Sequence, residues 1–251
     1  MFRVSRGLRH ILNVGGLEQF SPRLFSSSLL PPSTTYVGGR WTSAESEEIF
    51  SVTNPCNGEI LCSVPDMSTE DMKVAIEAAH MAFQTWRFTT AKERSNLLRS
   101  WYNLCVKHQA ELARILTAEQ GKPLVEANGE IEYGNSFIEW FSEEARRTGG
   151  EVAASPTQTK EMLFIRQPIG VAGMITPWNF PNAMITKKVG AALAAGCTCV
   201  LKPAEDTPLS AVALAVLAEE AGIPAGIINI VTASRANSPL VLEPYSVSLL
   251  L

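Results

Sequence analysis

The chain has 251 residues, of which 46% are apolar and 18% are charged. This is the composition of a folded globular protein rather than of a disordered or fibrous one. Lysine and arginine total 21 against 25 aspartates and glutamates, and the resulting net charge of −4 argues against nucleic acid or an anionic membrane as the main partner. The longest uncharged apolar stretch, between Lys188 and Lys202, is shorter than the ~20 residues that a membrane span needs.

The first 34 residues predict a mitochondrial targeting segment. Four arginines face a single acid, Glu18, and the segment is rich in serine. This Arg-rich, Ser-rich, acid-poor composition is typical of a transit peptide. The run Arg23-Leu24-Phe25-Ser26 resembles a matrix processing site with cleavage after Phe25, so we expect the protein in the mitochondrial matrix. The alternative is an untargeted, disordered N-terminal tail.

The cysteines fit a reducing compartment and predict no metal site. Their number is odd, none forms a C-x-x-C pair, and no histidine lies near Cys197 and Cys199. The five cysteines are Cys56, Cys62, Cys105, Cys197 and Cys199.

The chain from Tyr36 to Arg147 predicts short strands followed by helices. Apolar pairs and turn residues alternate between residues 36 and 64, which indicates short strands. Ser68 and Asp71 predict the capped start of a helix that runs to about Gln84. A second helix carries an apolar stripe through residues 97–116 and ends at Gln120, and a third covers about residues 124–147.

The pattern changes after residue 165 to alternating strands and helices. We expect strands at 170–176, 198–202 and 227–231, separated by helices at 182–195 and from Thr207, as cap, to Gly222. This β-α-β-α-β order, about residues 165–231, predicts an α/β fold with half of a doubly wound parallel sheet. Such sheets bind dinucleotides at the carboxyl ends of their strands.

Two loops fall at that carboxyl edge. One reads Thr-Pro-Trp-Asn-Phe-Pro over residues 176–181, and the other reads Lys-Pro-Ala-Glu over residues 202–205. No G-x-G-x-x-G follows the first strand, so the usual diphosphate cradle is missing. Lys202 and Glu205 could hydrogen-bond ribose hydroxyls, or they could form a solvated turn. Trp178 and Phe180 could present Asn179 rigidly, or they could be core aromatics.

These two loops, within residues 169–216, closely resemble the aldehyde dehydrogenase superfamily. Residues 119–124 (Glu-Gln-Gly-Lys-Pro-Leu) and 139–147 further resemble its mitochondrial succinate-semialdehyde dehydrogenases. The similarity covers about residues 36–235. It implies oxidation of succinate semialdehyde to succinate with NAD, in 4-aminobutyrate degradation, by a homo-oligomeric family whose substrate is a small aldehyde.

The resemblance also implies roles for individual residues. Asn179 is similar to the family's oxyanion-hole asparagine, whose neutral amide stabilises an alkoxide without protonating it, so that hydride can leave. Lys187 stands where succinate-semialdehyde members carry Arg, and it is the candidate for binding a distal carboxylate; the alternative is an exposed helix lysine. The implied cofactor-binding residues are Ile175, Thr176, Pro177, Trp178, Lys202, Pro203, Ala204 and Glu205.

The family's nucleophilic cysteine, its general-base glutamate and its G-S-T-x-x-G turn have no counterpart in this sequence. Residues 236–251 fit no family element, so we expect a divergent tail after a partial aldehyde dehydrogenase domain at 35–235. None of the five cysteines is a credible nucleophile, since all lie away from the cofactor edge. Two hypotheses follow: a truncated semialdehyde dehydrogenase, or a non-catalytic fragment that binds NAD or associates with other subunits.

Overall fold

A computed structural model describes residues 27–242. It confirms the α/β class and consists of short antiparallel strand pairs, a group of helices and a parallel sheet. The strands are β1 (Thr35–Val37), β2 (Arg40–Thr42), β3 (Ile49–Thr53), β4 (Ile60–Pro65), β5 (Glu151–Ala153), β6 (Met162–Phe164), β7 (Val171–Ile175), β8 (Thr198–Lys202) and β9 (Ile228–Ile230). The helices are α1 (Thr69–Trp86), α2 (Ala91–Lys107), α3 (Gln109–Gln120), α4 (Leu124–Glu144), α5 (Pro181–Ala195), α6 (Leu209–Glu220) and α7 (Ser238–Leu242), with a 3₁₀ turn at Ala145–Arg147.

The parallel sheet has the strand order β7-β8-β9, as the β-α-β-α-β pattern predicts. Both of its faces are covered, and the side chains of β8 alternate between them. Val200 packs with α1, whereas Cys199 and Leu201 pack in the cluster that contains α5 and α6. Burial on both faces explains why these strands read as continuous apolar runs.

Helix ends follow local capping chemistry. Ser68 and Asp71 form the predicted capping box of α1, and Thr90 with Glu93 forms a second one at α2. Gly121 ends α3 in a left-handed conformation with φ of 87°, which a residue with a side chain rarely adopts.

The prediction of one helix through residue 107 to Gln120 was wrong. His108 has ψ of 15°, far from the helical value of about −42°, and separates α2 from α3. The first turn of α3 is held by a distant segment, because Ser27 donates a hydrogen bond to the Glu111 carboxylate at 2.5 Å. The apolar residues keep helical spacing across His108, so the sequence pattern does not show the break or the contact between Ser27 and Glu111.

The two ends of the described chain pack on this body. Leu29 is buried in the main core, although it lies within the predicted transit peptide, residues 1–34. Residues 1–26 of the predicted transit peptide, and residues 243–251 of the predicted tail, lie outside the described residues. Val241 of α7 is buried in the same cluster as α1, in a segment where we predicted no element.

Strand β7 is one of the two edge strands of the parallel sheet, and its outer side is unpaired in the part of the chain that the structure describes. Strand β7 pairs with β8 on one side, and no strand within residues 27–242 pairs with its other side. A largely apolar cavity of about 350 Å³ lies beside it, lined by residues such as Pro168, Ile169 and Met174. None of the helices between residues 27 and 242 has both the length and the apolar content for a membrane crossing.

Candidate functional site

The loop after β7 begins at the carboxyl edge of the sheet. Ile175 is in register with Lys202 of β8, and the backbone N–H of Thr176 donates to the Lys202 carbonyl oxygen at 3.2 Å. Beyond this point the loop leaves the protein interior, with Trp178 57% and Phe180 42% exposed. The interpretation of these two residues as core aromatics is therefore wrong.

Asn179 lies in this loop with its backbone fixed and its side chain exposed. Its carbonyl oxygen accepts a hydrogen bond from Lys122 Nζ at 3.1 Å. On the other side of the loop, Lys188 Nζ donates to the Ile175 carbonyl oxygen at 2.6 Å. Two ammonium groups thus hold the main chain on both sides of Trp178, while the Asn179 amide is open to a ligand.

The loop after β8 places a cation and an anion side by side. Lys202 is only 4% exposed, and its Nζ lies 3.4 Å from Oε2 of the half-buried Glu205. A solvated turn would expose the lysine, so that alternative is wrong for Lys202. Pro203 is buried and Ala204 is half-buried, and they connect the two charged residues.

Glu205 is kept ionised by its neighbours. Burial alone would raise the pKa of its carboxyl, but a hydrogen bond from its own backbone N–H, one from Arg235 and the charge of Lys202 outweigh this and lower the pKa. Arg235 Nε lies 3.2 Å from Oε1 of Glu205. Glu205 is consequently an acceptor for hydroxyl groups at neutral pH.

The two loops share a cavity with the N-terminal part of the chain. This cavity, of about 410 Å³, is lined from the sheet edge by Trp178, Glu205 and Thr207, and from the other side by Thr53 and Glu119. The Oγ1 atoms of Thr176 and Thr207 are buried without a hydrogen-bond partner among the described residues. The contribution of β3 was missed at the sequence level, since more than 120 positions separate it from Trp178.

The amino ends of α5 and α6 are both closed by internal carboxylates. Glu130 Oε1 accepts from the backbone N–H groups of Asn182 and Ala183 at 2.9 and 3.2 Å. Glu119 accepts from the Leu209 and Ser210 N–H groups at 2.7 and 2.9 Å. A diphosphate normally binds at such a helix end in a dinucleotide fold. Here these donors are occupied, which agrees with the missing glycine-rich cradle.

Glu119 also replaces the cap that we predicted for α6. Thr207 was predicted to cap this helix, but α6 begins at Leu209 and Pro208 occupies the cap position. The proline side chain has no atom that can accept a hydrogen bond. The carboxylate of α3 supplies the acceptor instead, 90 positions away along the chain. A local capping rule cannot detect a partner at that separation.

Ionisation of Glu119 predicts a pH-dependent stability. Burial raises its pKa to about 7, against the opposing effect of hydrogen bonds from Ser210 and Leu209. Because the folded state binds this proton more tightly than the unfolded chain, the contribution is complete below the unfolded pKa of ~4.3 and is lost as the pH rises through about 7. In the wild type we expect the free energy of unfolding to fall by ~3 kcal/mol between pH 5 and pH 8, and Glu119→Gln should abolish this fall.

Urea unfolding at both pH values measures this contribution. Glu126→Gln, at an exposed position of α4, is the matched control and should keep the wild-type pH dependence. If the free energy of unfolding changed equally with pH in Glu119→Gln and in the wild type, Glu119 would not titrate in this range.

Lys187 is exposed on α5, and its Nζ lies 5.5 Å from the centre of the Phe137 ring. It does not line the cavity shared by the two loops. Its place is compatible with both alternatives, a cation for a distal carboxylate and a helix lysine that packs on an aromatic ring.

Two of the five cysteines lie at the end of β8 opposite the loops, and Cys56 lies next to the shared cavity. Cys197 and Cys199 are buried at the amino end of β8, roughly 16 and 10 Å along the strand direction from Lys202. Burial, with the charge of Glu119, raises the pKa of Cys62 to about 11, and burial raises that of Cys105 still further. Cys56 is exposed, and its neighbour Pro55 lines the shared cavity. The placement of the β3–β4 segment outside the cofactor edge was therefore wrong.

The parallel half-sheet, with Lys202, Glu205 and the Asn179 amide at its carboxyl edge, has the architecture of α/β proteins that bind nucleotides at their strand ends. A family model described as the aldehyde dehydrogenase family matches residues 41–244, and the chain belongs to that family. The match continues past Arg235 into the segment that we expected to diverge. Members of this family are oxidoreductases that act on aldehydes.

Individual relatives agree with this assignment. The mitochondrial succinate-semialdehyde dehydrogenase of Homo sapiens is 54% identical over 86% of this chain and 40% of its own length. The succinate-semialdehyde dehydrogenase [NADP(+)] of Escherichia coli is 56% identical over 79% of this chain and 41% of its own. A crystal structure of succinate-semialdehyde dehydrogenase from Burkholderia pseudomallei superposes with a TM-score of 0.82 at 49% identity, covering 86% of this chain and 44% of the other. The chain thus spans about two fifths of the length of these relatives.

Proposed function

We propose that this chain forms the cofactor-binding part of a mitochondrial, NAD-dependent semialdehyde dehydrogenase that oxidises succinate semialdehyde to succinate. The observation that carries the proposal is the buried Lys202 beside the ionised Glu205, one strand away from the exposed amide of Asn179. The nicotinamide cofactor supplies the hydride acceptor when it is bound. Lys202 and Glu205 hold ribose hydroxyls, and Asn179 donates a hydrogen bond to the alkoxide that forms on the aldehyde carbon.

Glu205 favours NAD over NADP in this proposal. A carboxylate accepts hydrogen bonds from the free 2′-hydroxyl of NAD, whereas it repels the 2′-phosphate of NADP. Two described cations next to Glu205, the buried Lys202 and the largely exposed Arg235, would by themselves favour the phosphate. The ionised state of Glu205 makes the repulsion effective at neutral pH.

Cofactor binding tests this arrangement. We expect Lys202→Ala to weaken NAD binding by about 10-fold, since a hydrogen bond to a charged group is worth ~1.5–3 kcal/mol. Glu205→Gln should narrow the preference for NAD over NADP by a similar factor. Isothermal titration with each cofactor measures both effects, and Lys73→Ala, an exposed lysine of α1, is the control. Equal affinities in Lys202→Ala and the control would contradict the proposal.

Mitochondrial import is part of the same proposal. It is supported by four arginines against one acid in residues 1–34. We expect N-terminal sequencing of the imported protein to begin near Ser26. A mature protein that retains Met1 would contradict it.

A second candidate function is that this polypeptide binds the cofactor without catalysing aldehyde oxidation. The observation that favours it is the position of the buried Cys197 and Cys199 towards the end of β8 opposite Lys202, together with the raised pKa of Cys62. Homo-oligomer formation, which the resemblance implies, stays a prediction.

A further inference from the structure

We propose that Lys122 and Glu130 are positioning residues that fix the peptide of Asn179 for its role at the alkoxide; this rests on the function proposed above. Lys122 Nζ makes three contacts. It lies 2.5 Å from Glu130 Oε2, 3.1 Å from the Asn179 carbonyl oxygen and 4.4 Å from the centre of the Phe180 ring. One ammonium group therefore contacts both residues on either side of the 179–180 peptide bond.

Glu130 holds the other side of the same loop. Its Oε2 pairs with Lys122, while its Oε1 accepts from the N–H groups of Asn182 and Ala183. The two oxygens of one carboxylate thus connect the residues that precede Pro181 to those that follow it. Helix α5 has no side-chain cap of its own, so Glu130 also determines where this helix begins.

The pair is buried, which is unusual for an arrangement that serves stability alone. The Glu130 side chain is 1% exposed and that of Lys122 is 11% exposed. A buried ion pair is often no more stabilising than apolar residues of similar volume, because both charges lose their hydration. What it provides is directional contacts to several groups at once, and here all of them belong to the loop and the helix that follow β7.

The close approach of α4 to α5 keeps Glu130 in place. Gly134 lies one turn further along α4, and a Cβ there would come within 2.4 Å of Asn182 Oδ1. Lys122 is held from its own side, since its N–H donates to Gln120 Oε1 at 2.9 Å. Both members of the pair thus start from fixed main-chain positions, so their contacts define the geometry of the Asn179 loop.

The double variant Lys122→Met/Glu130→Gln separates positioning from capping. It removes both charges together, so no unpaired charge is left buried, and the Gln oxygen can still accept from Asn182 and Ala183. The matched control is Lys73→Met/Glu70→Gln, which removes an exposed lysine–glutamate pair from α1. The measurement is ¹⁵N relaxation of the backbone amides of the 251-residue chain.

We expect the order parameters of the Asn179 and Phe180 amides to fall from ~0.85 to below ~0.6 in the double variant. Those of Leu201 and Lys202 should stay at the wild-type value, and the control should change neither group. Unchanged order parameters at Asn179 and Phe180 would overturn the proposal. An equal fall in the order parameters of Leu201 and Lys202 would also overturn it, because it would indicate a merely structural role. Because this readout needs no cofactor, it is independent of the Lys202→Ala titration that tests the proposed function.

Discussion

No NADH should form when the purified 251-residue chain is given succinate semialdehyde and NAD. Aldehyde oxidation by the route that the resemblance implies needs a thiolate next to the nicotinamide and a base for thioester hydrolysis. Cys197 and Cys199 are buried at the wrong end of β8, and the burial that raises the pKa of Cys199 to about 12 keeps that thiol protonated. An oxyanion donor and ribose contacts, the roles proposed above for Asn179, Lys202 and Glu205, cannot by themselves cleave a C–H bond.

Formation of NADH is followed by its absorbance, with a protein-free sample as the blank. Cys56 is the exposed thiol nearest in sequence to the shared cavity, so Cys56→Ser is tested beside Cys197→Ser and Cys199→Ser. Turnover that any one of these substitutions abolishes would show that the cysteine concerned is a nucleophile.

Asn179→Ala should lower the rate of aldehyde oxidation by ~10²–10³ in a chimera that joins this chain, up to Arg235, to the part of the Homo sapiens relative that follows the residue aligned with Arg235. Removal of one oxyanion donor typically costs this factor in kcat. Cofactor affinity should be nearly unchanged, because the residues proposed to contact the ribose lie on the neighbouring loop. Steady-state kinetics with a separate NAD titration distinguish the two effects.

Asn128→Ala is a suitable control for that substitution. Its side-chain amide donates a hydrogen bond to the Leu124 carbonyl oxygen within α4, at 2.9 Å. An equal loss of NAD binding in Asn179→Ala and Lys202→Ala would show that the division of roles between the two loops is wrong.

The parallel half-sheet was predictable because its signals are local. Strand β8 is a run of buried residues, Gly196 ends α5 at φ of 85°, and the two strand-end loops have distinctive sequences. The short β5–β6 pair was not predicted, since its exposed residues show no alternation of burial. Pattern reasoning detects elements whose side chains divide between a core and solvent.

The loops at the sheet edge were predictable, but the groups that hold them were not. Glu119 and Glu130 act on residues 90 and 52 positions away. In sequence both read as ordinary helix glutamates near a Gly-Lys-Pro turn. Their burial, which decides their function, follows only from the packing of α3 and α4 against the sheet.

The open edge of β7 has a consequence for how a protein with this N-terminal part is synthesised. About three fifths of the Homo sapiens relative lies outside the aligned region, and at ~5–20 residues per second translation of the part that follows it takes up to tens of seconds. During that interval a folded nascent chain would expose an unpaired strand and an apolar cavity. Strand β7 has only five residues and lies shortly after Pro168. A short edge strand and a nearby proline both limit edge-to-edge pairing between neighbouring nascent chains on one polysome.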